Sequence, residues 1–350
     1  MSATPGLHLE VKPRGLRLRE PLRSAHGDTA ERELLEVRIS DRDGLHGRGE
    51  AAPLQSYDGV SLARVRQALE RYRPALAAAG EANGARIVEA CRRVDDLPQA
   101  FAAIEMALWD RAGRRAGRSV AALLVDDPAP AVEVNATIGV DDRERAAQQA
   151  AGAVAEGFRC VKLKVGAGDD AARVAAVRAA IGQRTTLRLD ANGAWSVEQA
   201  VRSIEALEPA GLELVEEPTH GLEGVRAVRE RVSTRVAIDE TAALPGALGA
   251  GVADAVCLKV GRCGGISGLL AAAALVRASG AEVYLASTLD GPLGVAAALH
   301  AAAALAARGP MPPCGLATLR LFEGCDGLLP VENGQIALPA GPGLGVVGDE

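Results

Sequence analysis

No run of basic residues, no Cys-x-x-Cys pair, no uninterrupted apolar stretch of membrane length and no histidine set for a catalytic triad occurs in this 350-residue chain. Each absence removes a class of function. With a formal charge of −6 and arginines spread through helices, the chain lacks the concentrated basic face that nucleic-acid binding needs. The six cysteines (Cys91, Cys160, Cys257, Cys263, Cys314 and Cys325) are scattered without a regular framework, so reduced buried thiols and a cytoplasmic setting are expected. The first 15 residues have no apolar core of the signal-peptide kind, and Pro5, Lys12 and Pro13 interrupt them. The Ala/Leu runs over 269–276 and 293–307 fall short of about 18 apolar residues, with Arg277 and His300 intervening. They read as small-residue helices packed on a larger body, and no membrane association is expected. Of the histidines, only His26 stays a candidate for function.

What is present divides in two. Over 7–50, Leu35, Val37 and Ile39 alternate with polar neighbours and Asp43-Gly44 supplies a hairpin turn. Helices follow over 60–78 and 97–116, the second carrying Phe101, Ile104, Leu108 and Trp109 as a stripe of period 3.6. This is an α+β unit. Beyond it, strands predicted at 132–138, 160–165, 186–189, 212–216, 235–238, 253–258, 283–286 and 315–318 alternate with helices such as 169–181 and 196–207. Such alternation implies a parallel sheet, most economically closed as a TIM-like barrel of about 250 residues or fewer; an open doubly wound sheet is the competing arrangement. The expected division is 1–128 for the α+β unit, 129–320 for the barrel, and 321–350 for a Gly/Pro-rich tail packing on the first unit.

The predicted strands end on charged residues at matching places: Lys162 and Lys164, Asp190, Glu216, Asp239 and Lys259. From Lys164 onward, successive members stand about 20 to 26 residues apart, the length of one strand, one helix and two short loops, and barrel catalytic residues gather at the C-terminal ends of strands. A single acidic residue after a strand is better read as a cap for the next helix. Three in register, flanked by lysines, point to a site. Their hard oxygen donors, with no His or Cys among them, suit Mg²⁺ or Mn²⁺, leaving positions for the oxygens of a small carboxylate substrate. A Lewis acid there would stabilise the enolate formed when a proton leaves the carbon beside a carboxylate. Because a lysine is a poor base at a pKa near 10.4, something must lower it. In Lys162-Leu163-Lys164 the two amines share one strand face, and their like charge favours deprotonation of one.

Three other motifs are weaker. Gly47-x-Gly49-x-x-Ala52 matches a dinucleotide fingerprint, but Pro53 follows and no helix opens. In Glu216-Glu217-Pro218-Thr219-His220, Pro218 forbids the helix that a zinc motif requires. The glycines between Gly261 and Gly268 lack the Lys-Ser/Thr of a phosphate loop, and the expectation is that they let a helix begin close to a ligand.

Taken together, Gly49-Glu50-Ala51-Ala52-Pro53, Lys162-x-Lys164, Asp190-x-Asn192-x-x-Trp195, Glu216-x-Pro218, Asp239-Glu240 and Lys259 leading to Gly264-Gly265 resemble the muconate-lactonising subgroup of the enolase superfamily, over almost the whole chain. The resemblance implies a capping domain over a modified (β/α)₇β barrel. It implies Asp190, Glu216 and Asp239 as Mg²⁺ ligands, Lys164 and Lys259 as the opposed acid/base pair, and Lys162, Asn192 and Glu240 as supporting partners. Ser287, Thr288 and Asp290, with Gly315 and Thr318, would then contact the distal part of the substrate. Loops at 22–28 and 54–59 would close over it.

Within the subgroup, Cys314-Gly315-Leu316-Ala317-Thr318 and the residues after it are similar to the ending of o-succinylbenzoate synthases. That implies syn-dehydration of a cyclohexadiene carboxylate in menaquinone synthesis. Dipeptide epimerases of the subgroup carry an Asp-x-Asp pair near the last strand to hold the substrate ammonium, where this chain reads Gly-Leu-Ala-Thr. Muconate cycloisomerase and N-acylamino acid racemase or dipeptide epimerase chemistry are the alternatives. The sequence leaves a homo-oligomer open.

Overall fold

The computed structural model describes residues 6–24, 27–80, 82–325 and 327–346, so His26 lies outside the described residues. The chain opens with three antiparallel strands, β1 (His8–Ser24), β2 (Gly27–Ser40) and β3 (His46–Ala51). Leu35, Val37 and Ile39 on β2 face inward, and the turn after it closes through Gly44 at φ 83°. Helices α1 (Gln55–Asp58), α2 (Leu62–Ala77), α3 (Gly84–Val94), α4 (Pro98–Ala116) and α5 (Val120–Leu124) follow. α3 has no counterpart in the sequence reading, although Ile87, Cys91 and Val94 stand at helical spacing on it; of these Ile87 and Cys91 are buried.

Gly47 and Gly49 prove to be packing residues. Two positions apart on β3, they point at the same face of α4, where an added Cβ would lie 2.0 Å from the carbonyl oxygens of Ala107 and Ala103 respectively. Their lack of a side chain is what lets α4 lie flat on the sheet. Phe101, Ile104 and Ala107 of α4 then join Leu69, Tyr72 and Leu76 of α2 in one apolar core beneath β2.

The barrel begins with β4 (Ala131–Glu133) and β5 (Ala136–Ile138), then alternates α6 (Arg143–Ala155), β6 (Cys160–Lys164), α7 (Asp170–Ile181), β7 (Thr186–Asp190), α8 (Val197–Leu207), β8 (Leu212–Glu216), α9 (Leu222–Arg229) and β9 (Arg235–Ile238). It continues through β10 (Ala255–Leu258), α10 (Ile266–Ala278), β11 (Glu282–Leu285) and α11 (Pro292–Ala306). Strands β5 to β11 form one parallel sheet in chain order. The expected strand at 132–138 is split: β4 pairs antiparallel with the tail strand β13 (Gln335–Ala337), which also pairs with β12 (Val331–Glu332).

The expected eighth strand at 315–318 shrinks to two residues, and these close the ring. Asn135 N donates to Cys314 O at 2.9 Å on one side, and Gly315 N to Leu285 O at 2.8 Å on the other. Pro312 and Pro313 just before have no N–H to lend a ladder, and a 3₁₀ turn starts at Leu319, so the strand cannot lengthen either way. A closed barrel replaces the open-sheet alternative. α11 is buried along nearly its whole length, and no helix among the described residues is long and apolar enough to cross a membrane.

Gly49→Ala should lower stability by about 1–3 kcal/mol through overpacking against α4. Gly15→Ala, where nothing lies within 4 Å, is the control and should stay near wild type. Denaturant unfolding of the two variants measures the difference.

Candidate active site

Period-two alternation sends Lys162 and Lys164 of β6 into the barrel mouth together. The register pairs Lys164 with Asp190 and Asp190 with Glu216, so the last residues of β6, β7 and β8 form one layer. Asp239 and Lys259 stand one residue beyond β9 and β10. Counting the 314–315 segment as the eighth stave, β6 and β10 are four staves apart. Lys164 and Lys259 therefore rise from opposite walls, with the three carboxylates on the staves between them.

All three carboxylates are buried. Lys162 Nζ bridges Asp190 Oδ2 at 2.9 Å and Glu216 Oε1 at 3.0 Å. Lys164 Nζ meets Asp190 Oδ2 at 2.7 Å and Asn192 Oδ1 at 2.8 Å, and Asn192 passes the contact on to Glu240 Oε1 at 3.0 Å. Lys259 Nζ donates to both oxygens of Asp239. The ammonium of Lys162 is thus engaged by acids, and burial, which opposes its charge, is outweighed by Asp190 and Glu216, so its pKa lies above the ordinary value. Lys162, read from the sequence as a like charge beside Lys164, is paired with two acids. For Lys259 burial again opposes the charge, yet Asp239 holds the pKa well above the usual lysine value. Burial also works against ionisation of Asp190, but Lys162 and Lys164 keep its carboxyl well below the carboxylate range. Glu216 goes the other way, pushed up to about 7 by burial and then by Asp190.

This donor set fits a hard divalent cation. Asp190 and Glu216 share the Lys162 amine, Asp239 is held by Lys259, and the carboxylates of Glu216 and Asp239 come, with the Cys257 thiol, within 4.8 Å of one another. The strand ends that carry the site are strained. Asn192, Glu217 and Leu289 have φ of 46°, 41° and 56°, each just past a barrel strand, a conformation few non-glycine residues adopt.

A cavity of about 100 Å³ opens beside the two lysines. Ser287, Thr288, Gly315 and Thr318 line it with Ser24, Thr29, Ser56 and Thr137, and Ser287 Oγ lies 2.7 Å from Thr318 Oγ1. Asp290 does not line it. Its side chain turns into the seam between the two units, close to Glu50 and Arg32. Glu50 Oε1 accepts from Gly291 N at 2.6 Å at the start of α11, and Glu105 of α4 accepts from Ile266 N at 2.8 Å and Ser267 N at 2.9 Å at the start of α10. The glycines before α10 therefore admit the protein's own Glu105 instead of a ligand: a Cβ on Gly265 would stand 2.3 Å from its Oε2.

Three residues at the site were missed by sequence reasoning. Tyr57, on α1, donates to Asp239 Oδ1 at 2.6 Å and accepts from Lys259 at 2.8 Å and Arg262 at 2.7 Å. Tyr284 donates to Glu216 Oε2 at 2.6 Å. Glu217 accepts from Asp239 N at 2.8 Å and from the Thr241 hydroxyl at 2.5 Å, fixing the loop after β9. Scarcity was the available signal: two of the chain's three tyrosines and three of its four lysines (Lys12 is the other) meet here.

Residues 145–350 match the enolase C-terminal domain-like family, and residues 8–125 match the mandelate racemase / muconate lactonizing enzyme N-terminal domain. The chain belongs to the mandelate racemase / muconate lactonizing enzyme group of the enolase superfamily. Among the relatives of this superfamily member, a hydrophobic dipeptide epimerase of Enterococcus faecalis is 33% identical over 309 residues, covering 85% of this chain and 86% of that protein. An o-succinylbenzoate synthase of Thermobifida fusca is 41% identical over 223 residues, 59% of this chain and 67% of that one. The crystal structure of the dipeptide epimerase of Enterococcus faecalis V583, complexed with Mg and the dipeptide L-Leu-L-Tyr, superposes with a TM-score of 0.90 at 30% identity, covering 97% of this chain and 99% of that one. The epimerase likeness thus spans more of the chain than the synthase likeness suggested by the 314–318 segment.

The seam carboxyls yield a test of pH dependence. Burial, then Asp290, pushes Glu50 up to about 8 from an ordinary 4.5. The folded state binds more protons than the unfolded one between these values, so this contribution to stability is complete below about pH 4.5 and is lost as pH rises through about 8. Urea unfolding across that window should show wild-type stability falling with pH and a flatter profile in Glu50→Gln.

Proposed function

We propose that this enzyme moves a proton on and off the carbon next to a carboxylate, and that its reaction is racemisation or epimerisation of an N-acylated amino acid. The observation that carries the reading is the pair of lysines on opposite walls with three carboxylates on the staves between them. Asp190, Glu216 and Asp239 would hold Mg²⁺, or Mn²⁺ in its place, and that cation supplies positive charge against the substrate carboxylate as the α proton leaves. Lys164, as the neutral amine, takes the proton from one face; Lys259, as the ammonium, returns one to the other face. The reverse reaction starts from the opposite protonation states. Lys162, Asn192 and Glu240 orient these groups through the hydrogen bonds already described.

The substrate class rests on the distal half of the cavity. Among its described lining residues the charged ones are Lys162, Lys164, Asp239 and Lys259, all of the centre itself; Ser, Thr, Leu, Ala and Gly make up most of the rest. A free α-ammonium would find no carboxylate there, and a second substrate carboxylate no arginine. A neutral acyl group bonded by Ser287, Thr288 and Thr318 fits both conditions, and Asp290 drops out of the binding set.

A second reading, dehydration to an o-succinylbenzoate, draws on the 41% identical synthase and on Cys314-Gly315-Leu316-Ala317-Thr318. One experiment separates the two. N-acetylated amino acids of both hands are incubated with enzyme and Mg²⁺ in deuterated water, and α-proton loss is followed by NMR. Racemisation predicts exchange and inversion from either enantiomer. Lys164→Ala and Lys259→Ala should each lose inversion by about 10²–10⁴-fold, each retaining exchange with one enantiomer only. Ultraviolet-monitored turnover of the cyclohexadiene carboxylate that survives Lys259→Ala, with no exchange in any N-acylamino acid, would support dehydration instead.

A further inference from the structure

We infer that Tyr284 is a positioning residue of the carboxylate centre, the neutral donor that holds Glu216 in the orientation a cation requires. The inference rests on the reading of Glu216 as a cation ligand. Tyr284 rises from β11 into the barrel interior and is 1% exposed. A buried phenol must find a partner, and this one spends its proton on Glu216 Oε2 at 2.6 Å. Among the described residues its other hydrogen-bond partner is Lys162, whose Nζ reaches both oxygens at 3.0 and 3.2 Å while also serving Asp190.

These two donors differ in one respect that matters to a cation. Lys162 fixes Glu216 with a positive charge that repels an incoming ion, whereas the phenol fixes it with a dipole and adds no net charge. Tyr284 is itself held from below. The guanidinium of Arg188, wholly buried, lies 5.0 Å from its ring centroid, and Arg188 is pinned by Glu213 at 2.5 Å and by the Pro313 carbonyl at 2.7 Å. Pro313 immediately precedes the two residues that close the barrel. Ring closure, Arg188, Tyr284 and Glu216 thus form one continuous stack beneath the site. Ligating carboxylates fixed in this way are the usual reason a cation site is preorganised.

Calorimetric titration of the full-length protein with Mg²⁺, without substrate, tests the inference. Tyr284→Phe keeps the ring and deletes only the hydroxyl, and should bind Mg²⁺ about 10–100-fold more weakly, with a smaller Mg²⁺-induced rise in unfolding temperature. Tyr72→Phe is the control, since Tyr72 also buries a phenol, bonded to the Asp95 carbonyl at 2.6 Å and remote from the site. It should bind Mg²⁺ as the wild type does. Arg188→Lys, which loosens the ring without touching Glu216, should give a smaller weakening and serves if Tyr284→Phe does not fold. Wild-type affinity in Tyr284→Phe, or in Arg188→Lys where only that variant folds, overturns the role of Tyr284. Absence of Mg²⁺ binding in the wild type would instead overturn the reading of the centre.

Discussion

Three carboxylates buried side by side at the mouth of a barrel are the constraint around which this molecule is organised. Removing even one such charge from water costs several kcal/mol unless it is paired and hydrogen-bonded. Here each acid has an ammonium: Lys162 between Asp190 and Glu216, Lys164 on Asp190, Lys259 on Asp239. The balance is incomplete at Glu216, whose carboxyl is pushed up to about 7 by burial and by Asp190. Two of these counter-ions, Lys164 and Lys259, are the groups that the proposed reaction uses as base and acid. The three ammoniums already match the three carboxylates in number, so a divalent cation bound there would take over that pairing and relieve the amines of it.

The rest of the fold supports that layer. Strand register brings Lys164, Asp190 and Glu216 level, and Glu217 ties the loop after β9 so that Asp239 joins them. The N-terminal unit is fastened to the barrel by two buried glutamates, Glu50 and Glu105, each accepting from the backbone N–H groups at the start of a barrel helix. Such contacts satisfy backbone N–H groups that a helix start leaves without partners, and they are directional, which suits a seam that must hold α1 over the mouth. From there Tyr57 reaches Asp239, Lys259 and Arg262, so the covering unit contributes directly to the hydrogen bonding of the centre.

Much of this was legible in the sequence because it depends on local pattern. Period-two alternation announces β2, and charged residues ending apolar runs at barrel spacing announce the three acids and the lysines. What escaped depends on chain segments far apart in sequence. The eighth stave is two residues long because only Cys314 and Gly315 meet the distant bridge partners Val134 and Ala286. Asp290 follows a strand as the residues of the barrel mouth do, yet it turns into the seam with Glu50 and Arg32. The glycines before α10 resemble a ligand cradle, and only the fold shows Glu105 already there. Tyr57 and Tyr284 belong to no motif; in a chain with three tyrosines their rarity was the one hint.

The same scarcity makes the central claim directly measurable. With Lys12, Lys162, Lys164 and Lys259 as the only lysines, side-chain NMR of lysine-labelled protein has four ammonium-bearing signals to follow. If the buried ammoniums neutralise the carboxylates that a cation would bind, adding Mg²⁺ shifts the signals of Lys162, Lys164 and Lys259 together at one saturating equivalent and leaves Lys12 unmoved. Site lysines that stay unchanged while Mg²⁺ binds elsewhere would contradict the account.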